Sequence, residues 1–350
     1  TLSSCYRVSS LSLGSGDRLP RLLGFILRVL LGRLRYCSLH ERHHLSAMNM
    51  RRLAGVGFAI GMLSVTVMAQ PLKVLFFSKS SGWEHDVIKR TADGGMSHAE
   101  RVLAQLGTEH DMAFTFSKDG SKFSEKYLAG FDVIFLYASG NLEMRGTDGH
   151  PPMTAVGKAA ILDWIANGGG FVAVHAGSDC FHPYEAFDGN TPKDQRGNRY
   201  RLLGEATDPY IKMLGGEFIN HGPQQVAKAR VTNHEFPGMR GLGDSIEVME
   251  EWYSLKEFGP DNHVLLVMET AGMEGSDYDR PDYPLAWARN YGNGRVWFNA
   301  MGHREDVWDA AYFQAMLAGG IRWSGGRVDA NIPPNLAEVT PYADHLPPPR

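Results

Sequence analysis

Histidines next to or near glycines recur in five short segments of the sequence, and a pair of acidic residues lies in a sixth. Imidazole and carboxylate groups that converge on one cleft can act as general acid and base near neutral pH, or can bind a divalent metal ion. Residues 70–350 contain no HExxH or CxxC motif, so a metal site there would have no local signature. The candidate residues are His85, His175, His221, His234 and His303, with Glu250 and Glu251.

Each candidate also has a purely structural interpretation. A single histidine beside a glycine at the end of a strand often only hydrogen-bonds a backbone carbonyl. Five histidines at such positions favour a shared site for the group, although not for every member. Tryptophans are more often core residues than sugar-stacking surfaces. Trp83 and Trp252 are the exceptions of interest, because each lies beside a candidate polar group.

A nucleophilic hydrolase would need a serine or cysteine in a tight turn after a strand. In α/β enzymes that turn has the pattern Gly-x-Ser-x-Gly or its cysteine equivalent, because small neighbours accommodate the strained backbone. Here the fourth predicted strand runs into Val174-His175-Ala176-Gly177, and neither Ser178 nor Cys180 is flanked in this way. The pattern argues against a nucleophile elbow, and a Cys–His acyl-transfer enzyme built on Cys180 stays an open alternative.

Apolar runs from residue 72 onward alternate with segments of helical periodicity. Near-continuous apolar strands separated by helices are typical of a parallel sheet covered on both faces, which predicts a three-layer α/β fold. The predicted strands are Leu72–Ser78, Asp111–Phe116, Phe131–Tyr137 and Phe171–Val174, and the predicted helices are Met96–Leu106, ended by Gly107, and Pro152–Asn167.

Ligands of such sheets bind beyond the carboxyl ends of the strands. This rule selects Lys79–His85, Ala138–Arg145 and His175–His182 as the segments that form the site. The polar segment Pro183–Arg201, rich in Gly, Asp and Arg, is predicted to be an insertion or a lid.

The second half of the chain continues the same domain, because no repeat or break separates the two halves. We expect one domain over residues 71–326, followed by a Pro-rich tail, 327–350, that is extended or disordered. Tyr291-Gly292-Asn293-Gly294 predicts a hairpin turn. The further predicted elements are strands Val226–Thr232, His263–Glu269, Leu285–Asn290 and Arg295–Ala300, and a closing helix Val307–Trp323.

The overall net charge of −4 conceals two unlike parts. The chain of 350 residues is 43% hydrophobic and 21% charged, which excludes disorder, collagen and coiled coil. Residues 70–350 keep 26 of the 35 basic and 37 of the 39 acidic residues, a net charge of −11. An acidic domain repels polyanions, so nucleic acid is not an expected partner.

The first 69 residues have the features of a leader. Arg51 and Arg52 precede an apolar run of about 15 residues that ends in Val67-Met68-Ala69, which predicts a signal peptide over 48–69, cleaved after Ala69. The run is short for a membrane span, so no stable span is expected after cleavage, and an uncleaved anchor is the alternative. We expect residues 1–47 to be a non-native upstream segment, and the protein to be exported, periplasmic or extracellular.

Eight short motifs, in this order, resemble the ThuA-like (trehalose utilisation) family. The resemblance extends from about Leu72 to Trp323. The motifs are Gly82–His85, Gly168–Ala176, Leu214–His221, Asn233-His234, Glu251–Tyr253, Ala286-Trp287, Tyr291–Val296 and Gly302-His303.

The resemblance implies a class I glutamine amidotransferase-like (flavodoxin-like) α/β fold that lacks the amidotransferase cysteine. It also implies a role in disaccharide and keto-sugar catabolism, with a small carbohydrate as the partner. The sequence departs from the family at His221-Gly222 and His234-Glu235, where the family often has His-Pro, and at Glu250-Glu251, where it usually has Asp-Glu. These departures affect the shape of loops more than their chemistry.

The favoured hypothesis is an enzyme that isomerises or eliminatively cleaves a keto-sugar or related glycoside. A 3-keto group acidifies the neighbouring C–H bond, so one base can remove that proton while an acid or a metal stabilises the enediolate. His175 and His303 are expected near the reacting carbon, with Glu251 as a proton carrier. The expected substrate-binding residues, some of which could hold a divalent cation instead, are Trp83, His85, His221, His234, Trp252 and Tyr253.

The alternative hypothesis is a carbohydrate-binding module without catalytic activity. In this reading the aromatic side chains stack on sugar rings and the histidines bind the hydroxyl groups. The stacking residues would be Trp83, Trp252, Trp287 and Tyr253.

Overall fold

The computed structural model describes residues 70–182 and 196–349, which belong to one compact unit. The predicted upstream segment, the predicted signal peptide and most of the predicted lid (183–195) lie outside the described residues. Among the described residues, no helix is both long and apolar enough to cross a membrane.

Eleven strands form two sheets in the part of the chain that the structure describes. In chain order they are β1 Leu72–Phe77, β2 Met112–Ser117, β3 Val133–Leu136, β4 Gly170–Val174, β5 Glu217–His221, β6 Gln225–Val231, β7 Ser245–Glu250, β8 Tyr253–Lys256, β9 His263–Met268, β10 Tyr283–Tyr291 and β11 Gly294–Asn299.

The main sheet has nine strands in the order β2-β1-β3-β4-β11-β10-β9-β6-β7. The five strands from β2 to β11 run parallel to one another, and from β11 to β7 each neighbouring pair is antiparallel. Strands β5 and β8 pair separately as an antiparallel ribbon. This mixed sheet, with five adjacent parallel strands at its centre and one edge, agrees with the predicted α/β fold class.

Helices cover both faces of the sheet, as a three-layer α/β fold requires. The helices are α1 His98–His110, α2 Glu125–Leu128, α3 Ala155–Ala166, α4 Pro209–Leu214, α5 Glu305–Asp309, α6 Ala311–Ser324 and α7 Leu336–Val339. One group (α1, α5 and α6) packs together on one side, and a second group (α2, α3 and α4) packs on the other.

Two predicted helices differ from the observed ones. Helix α1 continues through Gly107 to His110. The glycine is needed for close packing against the start of β2, because a Cβ at this position would lie 2.7 Å from the carbonyl oxygen of Met112. The predicted closing helix is instead two helices, α5 and α6, because Ala310 between them has an extended backbone. The Trp308 indole N–H donates to the Gly302 carbonyl at 2.8 Å, which anchors α5 to a strand-end loop.

Strands β5, β7 and β8 were not predicted. Strands β5 and β8 carry polar and charged residues at positions that strict alternation would leave apolar, and their buried partners Glu217 and Lys256 form an ion pair 3.3 Å long. Alternating hydrophobicity therefore fails as a signal for this ribbon.

The C-terminal tail, predicted to be extended or disordered, packs against the sheet and contains the short helix α7. Strand β6 pairs with β9 only from Leu266 to Met268, which leaves the backbone of Val264 in need of partners. The Asn335 side chain accepts from the Val264 N–H at 2.6 Å and donates to its carbonyl at 3.1 Å. The buried Arg280 guanidinium also donates to the carbonyl of Ala343.

A chain that ends at Ala330 is expected to lose about 3 kcal/mol or more of unfolding free energy, because three buried polar groups lose a partner. The truncation removes partners from the Val264 N–H, from the His263 ring and from Arg280, and each buried polar group left without a partner costs roughly 1–3 kcal/mol. Urea denaturation measures the change. The control is Tyr342→Ala, at an exposed tail position, which should alter stability by less than about 0.5 kcal/mol. An unchanged urea midpoint in the truncated chain would contradict the packed tail.

Candidate functional site

Three of the candidate histidines follow parallel strands at one edge of the sheet. His85 follows β1, His175 follows β4 and His303 follows β11, and these strands lie close together in the sheet. Glu251 comes from the short link between β7 and β8. Each of the four residues offers one ligand atom, and these atoms lie within 4.8 Å of one another. We refer to His85, His175, Glu251 and His303 as the His–Glu cluster.

His175 is held rigidly and is completely buried. Its backbone has a φ of +44°, in the left-handed region that non-glycine residues rarely occupy, which turns the chain sharply as it leaves β4. The ring packs against Tyr253 with centroids 3.9 Å apart and planes tilted by 34°, and Nδ1 donates to the Ala300 carbonyl at 2.9 Å. Burial lowers the pKa of His175 from its usual value.

Imidazoles surround the Glu251 carboxylate. Oε2 lies 3.0 Å from Nδ1 of His303 and 3.4 Å from Nε2 of His175, and Oε1 lies 3.4 Å from Nδ1 of His221. Burial alone would raise the pKa of this carboxyl, but the neighbouring imidazoles of His175, His303 and His221 lower it well below its usual range. The carboxylate raises the pKa of His303 in return, against the effect of burial.

Glu250, the other member of the acidic pair, joins two of the loops. Its carboxylate accepts the Glu251 N–H at 2.8 Å and the Gly302 N–H at 2.9 Å. Burial raises the pKa of Glu250 to about 7. Gly302 has a φ of +119°, which requires a glycine directly before His303. Glu250 is therefore a positioning residue for both Glu251 and His303.

His85 completes the cluster. Its ring centroid lies 4.9 Å from that of His175 and 5.3 Å from that of His303. Nε2 is 3.4 Å from the Tyr253 hydroxyl, and no described residue hydrogen-bonds the buried Nδ1. Burial lowers the pKa of His85 well below its usual value, and the neighbouring histidines add to this effect.

The spacing of the cluster fits a metal ion. Ligand atoms about 2.0–2.1 Å from a tetrahedral zinc ion lie roughly 3.3 Å from one another. Nδ1 of His303 is 3.3 Å from Nε2 of His175, and Glu251 Oε2 is 3.0 and 3.4 Å from these two nitrogens. The bond from His175 Nδ1 to a backbone carbonyl is also the usual way in which a metal-binding imidazole is oriented. The cluster could therefore hold a divalent cation.

The cluster lies at an open cleft of about 1050 Å³. Trp83 stands at this cleft with 74% of its surface exposed, and His221, Tyr253 and His303 also line it. Asp179 and Arg304 line the cleft as well but were not among the predicted site residues. Asp179 lies in the segment after β4, His175–His182, that the strand-end rule selects. Its position in the sequence could therefore have identified it as a site residue.

The structure does not bring His234 to the cleft. His234 follows β6, which runs antiparallel to β9 and so ends at the opposite edge of the sheet from the cluster. The His234 ring lies 3.8 Å from Asp244 instead. A strand-end position alone could not reveal this, because the direction of β6 is not evident from its sequence.

Two of the proposed stacking tryptophans are core residues. Trp252 is 0% exposed, and its indole N–H donates to the Gln225 carbonyl at 2.9 Å. Trp287 is also fully buried and donates to the Leu214 carbonyl at 2.8 Å. Neither ring can stack on a sugar, so these two expectations are wrong. Tyr253 is nearly buried but lines the cleft, and Trp83 is open to solvent.

Cys180 is not placed as a nucleophile. Its thiol is fully buried and donates to the Ala138 carbonyl at 3.1 Å. Burial raises the pKa of the thiol well above its usual value, whereas a nucleophilic cysteine needs a lowered pKa. The geometry therefore gives no support to an acyl-transfer enzyme built on Cys180.

Comparison with known protein families identifies the family of this chain. The sequence matches the ThuA family profile, described as trehalose utilisation, over residues 73–201 and 202–324. The chain belongs to the ThuA family. The family is implicated in trehalose utilisation and carbohydrate metabolism. A search of curated proteins finds no match.

Solved structures of ThuA-like proteins are similar to this fold. A ThuA-like protein from Bacteroides uniformis has a TM-score of 0.51 and 20% identity, and the match covers 73% of this chain and 92% of that protein. One from Parabacteroides merdae has a TM-score of 0.49 and 18% identity, with 77% and 96% covered. At such low identity the first comparison supports the α/β fold alone.

Proposed function

We propose that this ThuA family member is a metal-dependent enzyme that isomerises or eliminatively cleaves a keto-sugar or a related glycoside. The observation that carries the proposal is the His–Glu cluster at an open cleft. The description of the family as trehalose utilisation supports a carbohydrate substrate.

The hydrogen bonds of the cluster favour a cation at its centre. Because Nδ1 of His175 donates to Ala300, a neutral His175 directs an unprotonated Nε2 toward Glu251. That nitrogen lies 3.4 Å from a carboxylate oxygen and 3.3 Å from Nδ1 of His303. Two acceptors that face each other repel unless a proton or a cation lies between them. A divalent cation would satisfy both, together with His303 and His85.

A bound cation would polarise the keto oxygen of a sugar and stabilise the negative charge that develops on it. The protein side chains would then bind the sugar and move its protons. His175 is completely buried, so it can orient the centre but cannot contact the substrate. This placement assigns His175 to cation binding and leaves the exposed side chains of the cleft to act on the sugar.

His221 is the side chain best placed to act as the base. Its Nδ1 donates to the Gly222 carbonyl at 2.8 Å, which leaves Nε2 to accept a proton, and 39% of the side chain is exposed. Nε2 would remove the proton from the carbon beside the ketone, and the electron pair would form the enediolate. In cleavage the enediolate returns to a ketone as the glycosidic C–O bond breaks, and the departing oxygen takes the proton held by His221. In isomerisation the neighbouring hydroxyl passes its proton to the former keto oxygen and becomes the new carbonyl, while His221 returns its proton to the former keto carbon.

Trp83 would bind the sugar by stacking at the cleft. Its exposed indole offers an apolar face, and its carbonyl is fixed by the Ser139 hydroxyl at 2.7 Å. The alternative of a binding module without activity has less support, because Trp252 and Trp287 are buried and unavailable for stacking.

Isothermal titration of EDTA-treated protein with zinc or manganese chloride tests the metal site. We expect about one ion bound per chain, and at least about a hundredfold weaker binding in Glu251→Gln and His303→Ala, which each lose a ligand. His234→Ala is the matched control, because His234 lies at the other edge of the sheet, and its affinity should equal that of the unaltered protein. Equal affinity in all four proteins would contradict the site.

Turnover of 3-ketotrehalose, followed by NMR, tests the reaction. His221→Gln should lower kcat by about 10² to 10⁴ with unchanged metal content, because the base is lost while the cluster remains. Glu251→Gln should lose both activity and metal, and His234→Gln should lose neither. The proposal fails if His221→Gln keeps full turnover, or if the metal-loaded protein converts no 3-keto-disaccharide.

We also propose that the protein is exported, which rests on the predicted signal peptide over 48–69 alone. Fractionation of cells that express the full sequence with a C-terminal tag tests this: the tagged protein should be found outside the cytoplasm and be shorter by the leader. Full-length protein confined to the cytoplasm would contradict it.

A further inference from the structure

We propose that Asp179 forms a second subsite of the cleft, where its carboxylate binds hydroxyl groups of the sugar. The inference rests on the proposed carbohydrate substrate and adds a residue that holds the sugar beside the His–Glu cluster. Asp179 lines the same cleft as Trp83, His221 and His303.

The backbone places Asp179 close to the cluster. A 3-10 turn, His175–Ser178, follows β4, and Asp179 ends this turn with its N–H bonded to the Ala176 carbonyl at 2.9 Å. Its own carbonyl accepts the Gly140 N–H at 2.7 Å. His175 and Asp179 therefore lie at the two ends of one tight turn, four positions apart in the chain. Asp179 is therefore fixed relative to His175.

A series of linked, buried charged groups orients the Asp179 side chain. Oδ1 of Asp179 lies 2.7 Å from Nε2 of His182, and Nδ1 of the same ring lies 2.7 Å from Glu217. Glu217 in turn pairs with Lys256 at 3.3 Å. Because both ring nitrogens face carboxylates, His182 is held as an imidazolium. The side chains of His182, Glu217 and Lys256 are completely buried.

Stability alone does not explain this arrangement. Ion pairs in a protein interior cost desolvation energy, and apolar residues of similar size often stabilise a fold as well or better. A series of buried charges that ends in a carboxylate at a cleft is instead typical of a binding group oriented by the residues behind it. Among the described residues, no donor hydrogen-bonds Oδ2 of Asp179, so this oxygen can accept a bond from a ligand.

The chemistry of the subsite fits a neutral sugar. A carboxylate accepts hydrogen bonds from hydroxyl groups, and such charge-assisted bonds are stronger than neutral ones. The Asp179 charge is already balanced by His182 and by Arg199, whose guanidinium lies 3.9 Å away, so the subsite has little need of a cationic ligand. Trp83 offers the apolar face that a sugar ring requires at the same cleft.

Binding of trehalose and its monodeoxy analogues to the metal-loaded protein tests the inference by calorimetry. In the unaltered protein, one deoxy analogue should bind about tenfold or more weakly than trehalose, because it lacks the hydroxyl that Asp179 binds. In Asp179→Asn, trehalose itself should bind about tenfold or more weakly, and that analogue should lose little further affinity. Asp179→Ser serves as a second variant, and circular dichroism confirms that both are folded.

Asp86→Asn is the matched control, because it removes an exposed carboxylate at the same cleft that makes no hydrogen bond or ion pair with a described histidine. Its affinity for trehalose should change by less than about threefold. The inference is overturned if Asp179→Asn binds trehalose as tightly as the unaltered protein does, or if the unaltered protein binds no trehalose. It is also overturned if each deoxy analogue binds more weakly than trehalose by the same factor in the unaltered protein and in Asp179→Asn.

Failure of the proposed reaction would be distinct from failure of the subsite. If the protein binds trehalose through Asp179 but converts no 3-keto-sugar, the subsite is supported and the proposed reaction is contradicted. If Asp179→Asn converts 3-ketotrehalose with full activity and unchanged KM, the reaction is supported and the subsite is contradicted. Metal content is measured in each variant, so that loss of the cluster is not mistaken for either result.

Discussion

Close packing of three imidazoles and one carboxylate is the constraint on which the cleft depends. The ligand atoms of His85, His175, Glu251 and His303 lie within 4.8 Å of one another, although burial penalises the charged form of each. Nothing in the sequence of any one loop favours such an arrangement. It persists because each group is fixed by contacts outside the cluster, as the bond from His175 to Ala300 and the φ of +44° at His175 illustrate.

Two features of the fold produce that convergence. Parallel strands end at one edge of the sheet, so β1, β4 and β11 deliver three histidines without long loops. The carboxylate of Glu251 instead comes from the link between β7 and β8, and β7 is the edge strand of the antiparallel half of the sheet. Glu250 compensates for this distance by bonding both the Glu251 and the Gly302 N–H groups, which joins the β7 end directly to the β11 end. The adjacent acidic residues thus have separate roles, one buried between backbone amides and one facing imidazoles.

The sequence could predict the parts of the molecule that follow strand periodicity. Apolar runs located β1, β3 and β4, and the rule that ligands bind at carboxyl ends selected His85 and His175. The same reasoning failed for His234, because periodicity does not give the direction of a strand. The prediction that Trp252 stacks on a sugar was wrong because the neighbouring Glu251 does not determine whether the Trp252 ring faces the cleft or the core. The packed tail was hidden because its bonds are made by Asn335 and backbone atoms, which leave no periodic signal. Asp179 was missed because its support comes from His182 and Glu217, distant partners that only the fold brings together.

The same elements hold both walls of the cleft, and this bears on how a substrate could be positioned. The turn after β4 carries His175 at its start and Asp179 at its end, and β5 carries the buried Glu217 and the half-buried His221. A shift of the turn or of β5 would therefore move a cluster contact and a subsite contact together. Reacting groups gain rate when they are held in a fixed relation to the bound substrate, because little ordering remains to be done in the transition state. If the proposed function holds, a cleft whose binding and reacting groups share one turn and one strand meets that condition by backbone geometry.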